Sequence, residues 1–282
     1  MLLSPTQLAP RIASALQEDI KTGDVTTLST ISEDQNSHAK LWAKADGVFC
    51  GSLVADLVLQ YFDEKLFFDW KILDGSPVKK GDVIGTFYGN TRILLQAERT
   101  LLNLIQRMSG IATQTHKFAE KVSHTKCKIL DTRKTNPLWR DIDKYSVVKG
   151  GGTNHRIGLY DMVLIKDNHI SAAGSITNAV NRVHDYQKKN ALSLEIEVEV
   201  KNQDELAEVL KLNGVNRILL DNMNLTQLRD SVNFVAGKIH LEASGNVSLD
   251  TVQSIAETGV DFVSVGSLTH SVQAMDISLL ID

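Results

Sequence analysis

Arg133 and Lys134 in DTRKT, His155 and Arg156 in GGGTNHR, and Lys166 in MVLIKDNHI crowd five cationic groups into residues 133–166. His155 joins the set only when protonated. Each group ends or closely follows a short apolar or glycine-rich run, the place where a β/α fold delivers side chains to a common mouth. Arg133 and Arg156 can each grip a carboxylate or phosphate bidentately, while Lys134 and Lys166 act as point charges. Glu199 and Asp221 end two further runs; such a carboxylate pair can hold Mg²⁺, bind ribose hydroxyls or face a developing cation. Ser244-Gly245-Asn246 and Gly266-Ser267 expose backbone N–H groups at strand-to-helix turns, a phosphate cradle. The three groups together suit joining a poly-acid to a phosphorylated sugar.

The elements that must carry these residues follow from pattern. Strand-like runs occur at 128–130, 162–165, 194–200, 217–220, 239–243 and 261–265, with helix-like stretches at 202–212, 224–235 and 248–259. Strands repeating with intervening helices predict parallel β/α units, and six of them predict a barrel with function at the strand carboxyl ends. Before residue 110 the pattern differs. Ile12, Ala15 and Leu16 form a helical stripe that Pro10 starts or kinks. Strand-like pieces occur at 39–45, 47–51 and 82–88, the later ones separated by the turn signals Asp74-Gly75-Ser76-Pro77 and Lys80-Gly81-Asp82, which predict a small sandwich or barrel-like fold. Leu94, Leu95, Leu101, Leu102 and Ile105 predict a helix over about 92–107, with Gly110 as its stop.

Composition narrows the function classes. A chain of 282 residues with net charge −4 lacks the electrostatic footprint of a nucleic-acid binder. Its positive charge is local and can focus a small anion. Cys50 and Cys127 are too few and too far apart for a disulfide framework or a metal-type pair, which points to a reducing compartment. Asp46, Asp56 and Asp63 interrupt the most apolar stretch, and MLLSPTQLAPRIASALQED has neither a basic leader region nor a long apolar one. The expectation is a cytoplasmic protein with no membrane partner.

DTRKT (131–135), GGGTNHRIGLYDMVLIKDNHI (150–170), EIEVEV (195–200), LLDNM (219–223), LEASGN (241–246) and ETGVDFVSVGSLTHS (257–271) together resemble the quinolinate phosphoribosyltransferase family. Supporting matches are LQEDIKTGDVTT (16–27), KADGVFCG (44–51) and AERTLLNLIQRMSGIAT (97–113), so the resemblance runs from about residue 8 to the end. It implies a glycosyltransferase of NAD synthesis that moves phosphoribose from phosphoribosyl pyrophosphate to quinolinate with loss of CO₂. The implied fold is α/β: an N-terminal α/β sandwich over residues 1–110, completed by 268–282, and an open α/β barrel over 111–267. By the same resemblance Arg133, Lys134, His155 and Arg156 surround the quinolinate carboxylates. Lys166 lies near a carboxylate or pyrophosphate, and Glu199 and Asp221 near ribose and Mg²⁺, directly or indirectly. Ser244, Gly245, Asn246, Gly266 and Ser267 hold the 5-phosphate. Lys134, Lys166, Glu199 and Asp221 are the implied catalytic groups, Mg²⁺ the implied cofactor, and a homodimer or hexamer the implied assembly, with Arg99 donated in trans.

Three departures from the family pattern stand out. Asn136-Pro137-Leu138-Trp139-Arg140 replaces a Thr-Pro-Gly-Leu-Arg loop, so Leu138 stands where glycine's φ freedom is usual. Val148-Lys149 replaces Arg-Cys; in an extended segment the charge would change face. Asn246 replaces a second glycine, and asparagine tolerates positive φ. Single features also admit plain readings. An Arg-Lys pair is often a solvated face, a histidine often a satisfied structural one, and Glu195 the member of Glu195-Glu197-Glu199 best suited to mere exposure. Other chemistries stay open: a Schiff-base lyase on Lys166, a non-catalytic anion sensor, or a relative on the same fold associated with molybdenum transport.

Overall fold

The computed structural model describes residues 2–281. The chain divides into two compact units. One takes the chain up to His116, Thr135–Gly151 and the chain from Leu268 onward; the other takes Lys117–Lys134 and Gly152–Ser267.

In the first unit, β1 (Asn36–Ala43) alternates exposed and buried residues, the period of a strand with one face in a core. It pairs antiparallel with β5 (Val83–Asn90) on one side and β12 (Ile277–Ile281) on the other. The two-residue strand β3 (Asp69–Trp70) adds to β5, while β2 (Gly47–Val48) and β4 (Pro77–Val78) pair separately. Leu41, Ile84, Phe87 and Leu279 from this sheet join Leu8, Ile12, Leu16 and Leu101 from helices in one core.

Two helices here settle what the pattern left open or misplaced. The first helix runs Pro5–Ile20, with Pro10 at the interior one of the two places the sequence offered. Pro10 deletes one backbone bond; burial of Leu8, Ile12 and Leu16 on a single face holds the helix across the gap. The second helix runs Thr91–Val122, straight through Gly110. Gly110 is a contact point: a Cβ there would lie 2.2 Å from the Gln273 carbonyl oxygen, so only glycine lets the two backbones approach.

The second unit holds six parallel strands in the order β6 (Lys128–Leu130), β11 (Phe262–Ser264), β10 (His240–Ser244), β9 (Arg217–Asp221), β8 (Ile196–Val200), β7 (Val163–Ile165). They coincide with the six predicted runs. β6 and β7 are the edges, so the sheet is open, with helices between successive strands: the open barrel of the expected α/β class. Every residue of β8 is buried, as parallel strands covered on both faces require. Among the described residues no helix is long and apolar enough to cross a membrane.

Candidate active site

Site residues cluster at the carboxyl ends of these strands because each strand is short and stops where its apolar run stops. Asp131 follows β6, Lys166 follows β7, Glu199 lies near the end of β8, and Asp221 and Ser244 end β9 and β10. β9 and β10 are in register, with Asp221 opposite Ser244.

Two aspartates shape the loop that carries His155 and Arg156. Asp131, fully buried, accepts from the His155 backbone N–H at 2.9 Å and from Asn154 Nδ2 at 2.5 Å. Asp161 accepts from the Ile157 and Gly158 N–H groups at 2.7 and 2.8 Å. Within this frame Arg156 donates Nη1 to the Met162 carbonyl at 3.2 Å. Burial, and then the nearby Arg133 charge, pull the Arg156 pKa below its ordinary value. Arg133 itself has a buried Nε with no hydrogen-bond partner. Two half-buried guanidiniums that repel each other, one with a donor still to satisfy, are what an incoming dianion would neutralise.

Lys166 donates Nζ to Glu199 Oε2, and Glu199 is only 8 % exposed. That pairing gives a nearly buried carboxylate a cationic partner. Asp221, half-buried, accepts from Asn222 Nδ2 at 2.9 Å. Lys134 is exposed beside Arg133. His169, without a sequence-derived role, accepts the Lys166 backbone N–H through Nδ1 at 3.0 Å and so secures the start of the helix Asp167–Ala173.

Gly245 (φ +105°) and Asn246 (φ +51°) both adopt left-handed backbone at the end of β10. A Cβ on Gly245 would lie 2.1 Å from Asn222 Oδ1. Gly266 and Ser267 are half-buried just past β11, completing the strand-end set. Gly245→Ala is expected to raise KM for the phosphorylated substrate roughly tenfold, since about 1–3 kcal/mol of strain falls on the turn. KM for the acid substrate should change far less; steady-state kinetics with each substrate varied in turn reads the contrast.

His155 faces two buried strand carboxylates. Its Nδ1 accepts the Arg156 N–H at 2.7 Å, and its Nε2 faces inward, 3.0 Å from Glu197 Oε2 and 3.5 Å from Glu242 Oε2. The 3.0 Å approach is not an aligned hydrogen bond: both Glu197 oxygens and Glu242 Oε1 lack a hydrogen-bond partner. Glu242 Oε2 accepts from Arg217 Nη1 at 2.9 Å, and Arg217 stacks 4.3 Å over the Phe262 ring. Sequence reasoning did not single out Glu242 or Arg217. The available signal was an ionisable residue alternating with apolar ones inside a strand, the same signal that marked Glu199.

Arg99 is exposed on the helix Thr91–Val122 of the first unit. Leu138, although it lacks glycine's φ freedom, adopts φ +68°, and Arg11 Nη1 donates to its carbonyl. Val148-Lys149 is not extended: both residues lie in the last turn of the helix Arg140–Lys149, where Lys149 Nζ sits 5.3 Å over the Tyr145 ring. The expected change of face does not arise.

Comparison with known proteins matches this arrangement throughout the chain. The family model described as quinolinate phosphoribosyl transferase, N-terminal domain, matches residues 24–109, and the C-terminal domain model matches residues 111–280. The nicotinate-nucleotide pyrophosphorylase [carboxylating], chloroplastic, of Arabidopsis thaliana is 47 % identical over 96 % of this chain and 82 % of its own length. The probable nicotinate-nucleotide pyrophosphorylase [carboxylating] of Bacillus subtilis (strain 168) is 40 % identical over 93 % and 89 %. The solved nicotinate-nucleotide pyrophosphorylase of Francisella tularensis superposes with a TM-score of 0.92 at 38 % identity, covering 100 % of this chain and 98 % of that one.

Proposed function

The chain belongs to the quinolinate phosphoribosyltransferase family, and from that membership we infer its reaction. Phosphoribose passes from phosphoribosyl pyrophosphate to the ring nitrogen of quinolinate, and the 2-carboxylate leaves as CO₂. Nicotinate mononucleotide and pyrophosphate result, a step of NAD biosynthesis. The observation that carries the reading is the Arg133–Arg156 pair, two like charges held together in a partly dry site that a dicarboxylate neutralises.

The residues divide the work by chemistry. Arg133 and Arg156 take the quinolinate carboxylates, with Lys134 adding charge at the exposed side and His155 closing the floor. Gly245 and Asn246, in left-handed backbone, receive the 5-phosphate together with Ser244, Gly266 and Ser267 at the same strand ends. As the C1–O bond breaks, its electron pair leaves with pyrophosphate and the ribose takes on positive charge. Glu199 and Asp221 stabilise that charge electrostatically. The ring nitrogen's lone pair then forms the new bond to C1. The resulting cationic nitrogen draws in the electron pair of the breaking C2–carboxylate bond, and a proton replaces CO₂ at C2. The protein's main contribution is to hold two mutually repelling anions in register.

Mg²⁺ fits this oxygen-only donor set. Asp221 is half-buried at the rim, and Glu199 already shares one oxygen with Lys166. A magnesium ion takes one or two carboxylates and completes its shell with substrate phosphates and water. Asp221, with Glu199 beside it, would hold it; bound there, it supplies charge neutralisation for the pyrophosphate leaving group.

The exposure of Arg99 on its helix supports a homodimeric enzyme in which Arg99 of the partner subunit completes each site. Mixing inactive Arg99→Ala with inactive Glu199→Gln, after dissociation and reassociation, should restore activity, because one of the two mixed sites is then intact. The free thiols Cys50 and Cys127 support a reducing compartment, and we assign the cytoplasm.

The reaction itself is tested with quinolinate labelled in its 2-carboxylate. Label should appear as CO₂ only when phosphoribosyl pyrophosphate is present, one CO₂ for each pyrophosphate. Release without phosphoribosyl pyrophosphate would contradict the order of bond changes.

A further inference from the structure

His155, Glu197, Glu242 and Arg217 form a closed buried cluster beneath the cationic rim. The ligand atoms of His155, Glu197 and Glu242 all lie within 4.8 Å of one another, a spacing that would also suit a metal ion. The tautomer of His155 decides between a metal and a proton. A histidine bound to metal through Nε2 donates from Nδ1. Here Nδ1 accepts the Arg156 N–H, so Nε2 carries the ring's proton and the imidazole is neutral. Charge then counts to an imbalance: one guanidinium, Arg217, against two carboxylates in a site from which water is excluded. Adding one proton to a carboxylate makes the cluster neutral. It also supplies a donor where Glu197 Oε1, Glu197 Oε2 and Glu242 Oε1 have none.

We propose that Glu242 carries this proton in the working enzyme, and that it is a positioning residue which keeps the charge beneath Arg133 and Arg156 low enough for a dianion to bind. The proposal rests on the assignment of quinolinate as substrate and adds a floor to its carboxylate site. An ionised Glu242 would place a second negative charge under the clamp and give Glu197 a repelling neighbour in place of a donor. The groups facing Glu242 are Glu197 from β8, Arg217 from β9, His155 from the loop after β6, Cys127 before β6, and the Ser264 hydroxyl of β11. Arg156 and Lys166 act on Glu197 from above. Burial first, and the Glu197 charge second, push the Glu242 carboxyl up to about 7 against the pull of Arg217. Glu242 therefore binds a proton more tightly in the folded than in the unfolded chain, and its stabilising contribution is lost as pH rises toward that value.

The first test needs no substrate. The wild-type protein and Glu242→Gln, a neutral isostere of the protonated acid, are melted between about pH 5 and about pH 8.5, across the window in which the raised carboxyl titrates. The variant's melting temperature should gain on the wild type as pH rises and level off above about 7. A constant difference would overturn the proposal. Second, kcat/KM for quinolinate should fall roughly tenfold more in the wild type than in Glu242→Gln from about pH 6.5 to about pH 8.5, the span of one ionisation. KM for phosphoribosyl pyrophosphate should follow the same pH course in both. Equal quinolinate profiles, with the melting difference present, would leave the proton buried but remove its role in binding. If Glu242→Gln does not fold, the wild type reads the same proton by calorimetry in buffers of different ionisation heat. Proton uptake on binding quinolinate near pH 7.5 is expected, and zero uptake refutes the assignment.

Discussion

Arg156→Ala is expected to lower kcat/KM for quinolinate by roughly a hundred- to a thousandfold, because one charge-assisted, bidentate grip on a half-buried carboxylate is worth about 3–4 kcal/mol once its partner is desolvated. Arg133→Ala should fall in the same range. The two should not add: with either guanidinium gone, the other no longer suffers their mutual repulsion and holds the remaining carboxylate better. Lysine should restore only part of the loss, since a point charge cannot reproduce the planar fork. KM for phosphoribosyl pyrophosphate provides the control and should move little. Wild-type kcat/KM for quinolinate in both alanine variants would remove the carboxylate clamp from the account.

Arg107→Met is expected to destabilise the fold by about 3–5 kcal/mol, the cost of leaving a buried carboxylate without its partner. Asp143 is fully buried and accepts from Arg107 Nε at 3.0 Å and Nη2 at 2.8 Å, while the same guanidinium reaches the Thr269 carbonyl at 3.0 Å. Burial already raises the Asp143 carboxyl above its ordinary value despite Arg107. Without Arg107 it rises further, and the folded variant takes up a proton that the unfolded chain releases. The deficit should therefore be largest at neutral pH and shrink as pH falls toward the raised value. Urea unfolding at two pH values measures this; a deficit independent of pH would mean that Asp143 stays ionised without its partner. Replacing both residues, as in Arg107→Met with Asp143→Leu, should recover much of the loss.

The parallel sheet was legible because each strand is a short apolar run ended by a polar or glycine residue. Of the candidate site residues, Lys166, Glu199 and Asp221 fall at such ends, Arg133 lies just past β6, and Arg156 lies in the loop before β7. Features set by tertiary contact were not legible. Gly110 carries a helix-stop signal, but the helix continues because the glycine admits the backbone at Gln273. β3 and β4, two residues each, exist only by pairing with β5 and β2. Lys149 had no helical signal strong enough to outweigh the glycines that follow it. The buried floor was hidden for a different reason. Glu197, Glu242 and Arg217 lie on three strands and become one cluster only when register brings their faces together. A sequence shows that such residues sit among apolar neighbours, but not which of them meet.

The most direct test of the central claim is product identity by mass spectrometry. Purified protein, Mg²⁺ and phosphoribosyl pyrophosphate are incubated with quinolinate, and in parallel with nicotinate. Nicotinate mononucleotide from quinolinate, with none from nicotinate, is the predicted result: the Arg133–Arg156 clamp needs both carboxylates, and decarboxylation follows transfer. Nicotinate mononucleotide formed from nicotinate, or quinolinate left unconsumed by folded protein, would contradict it.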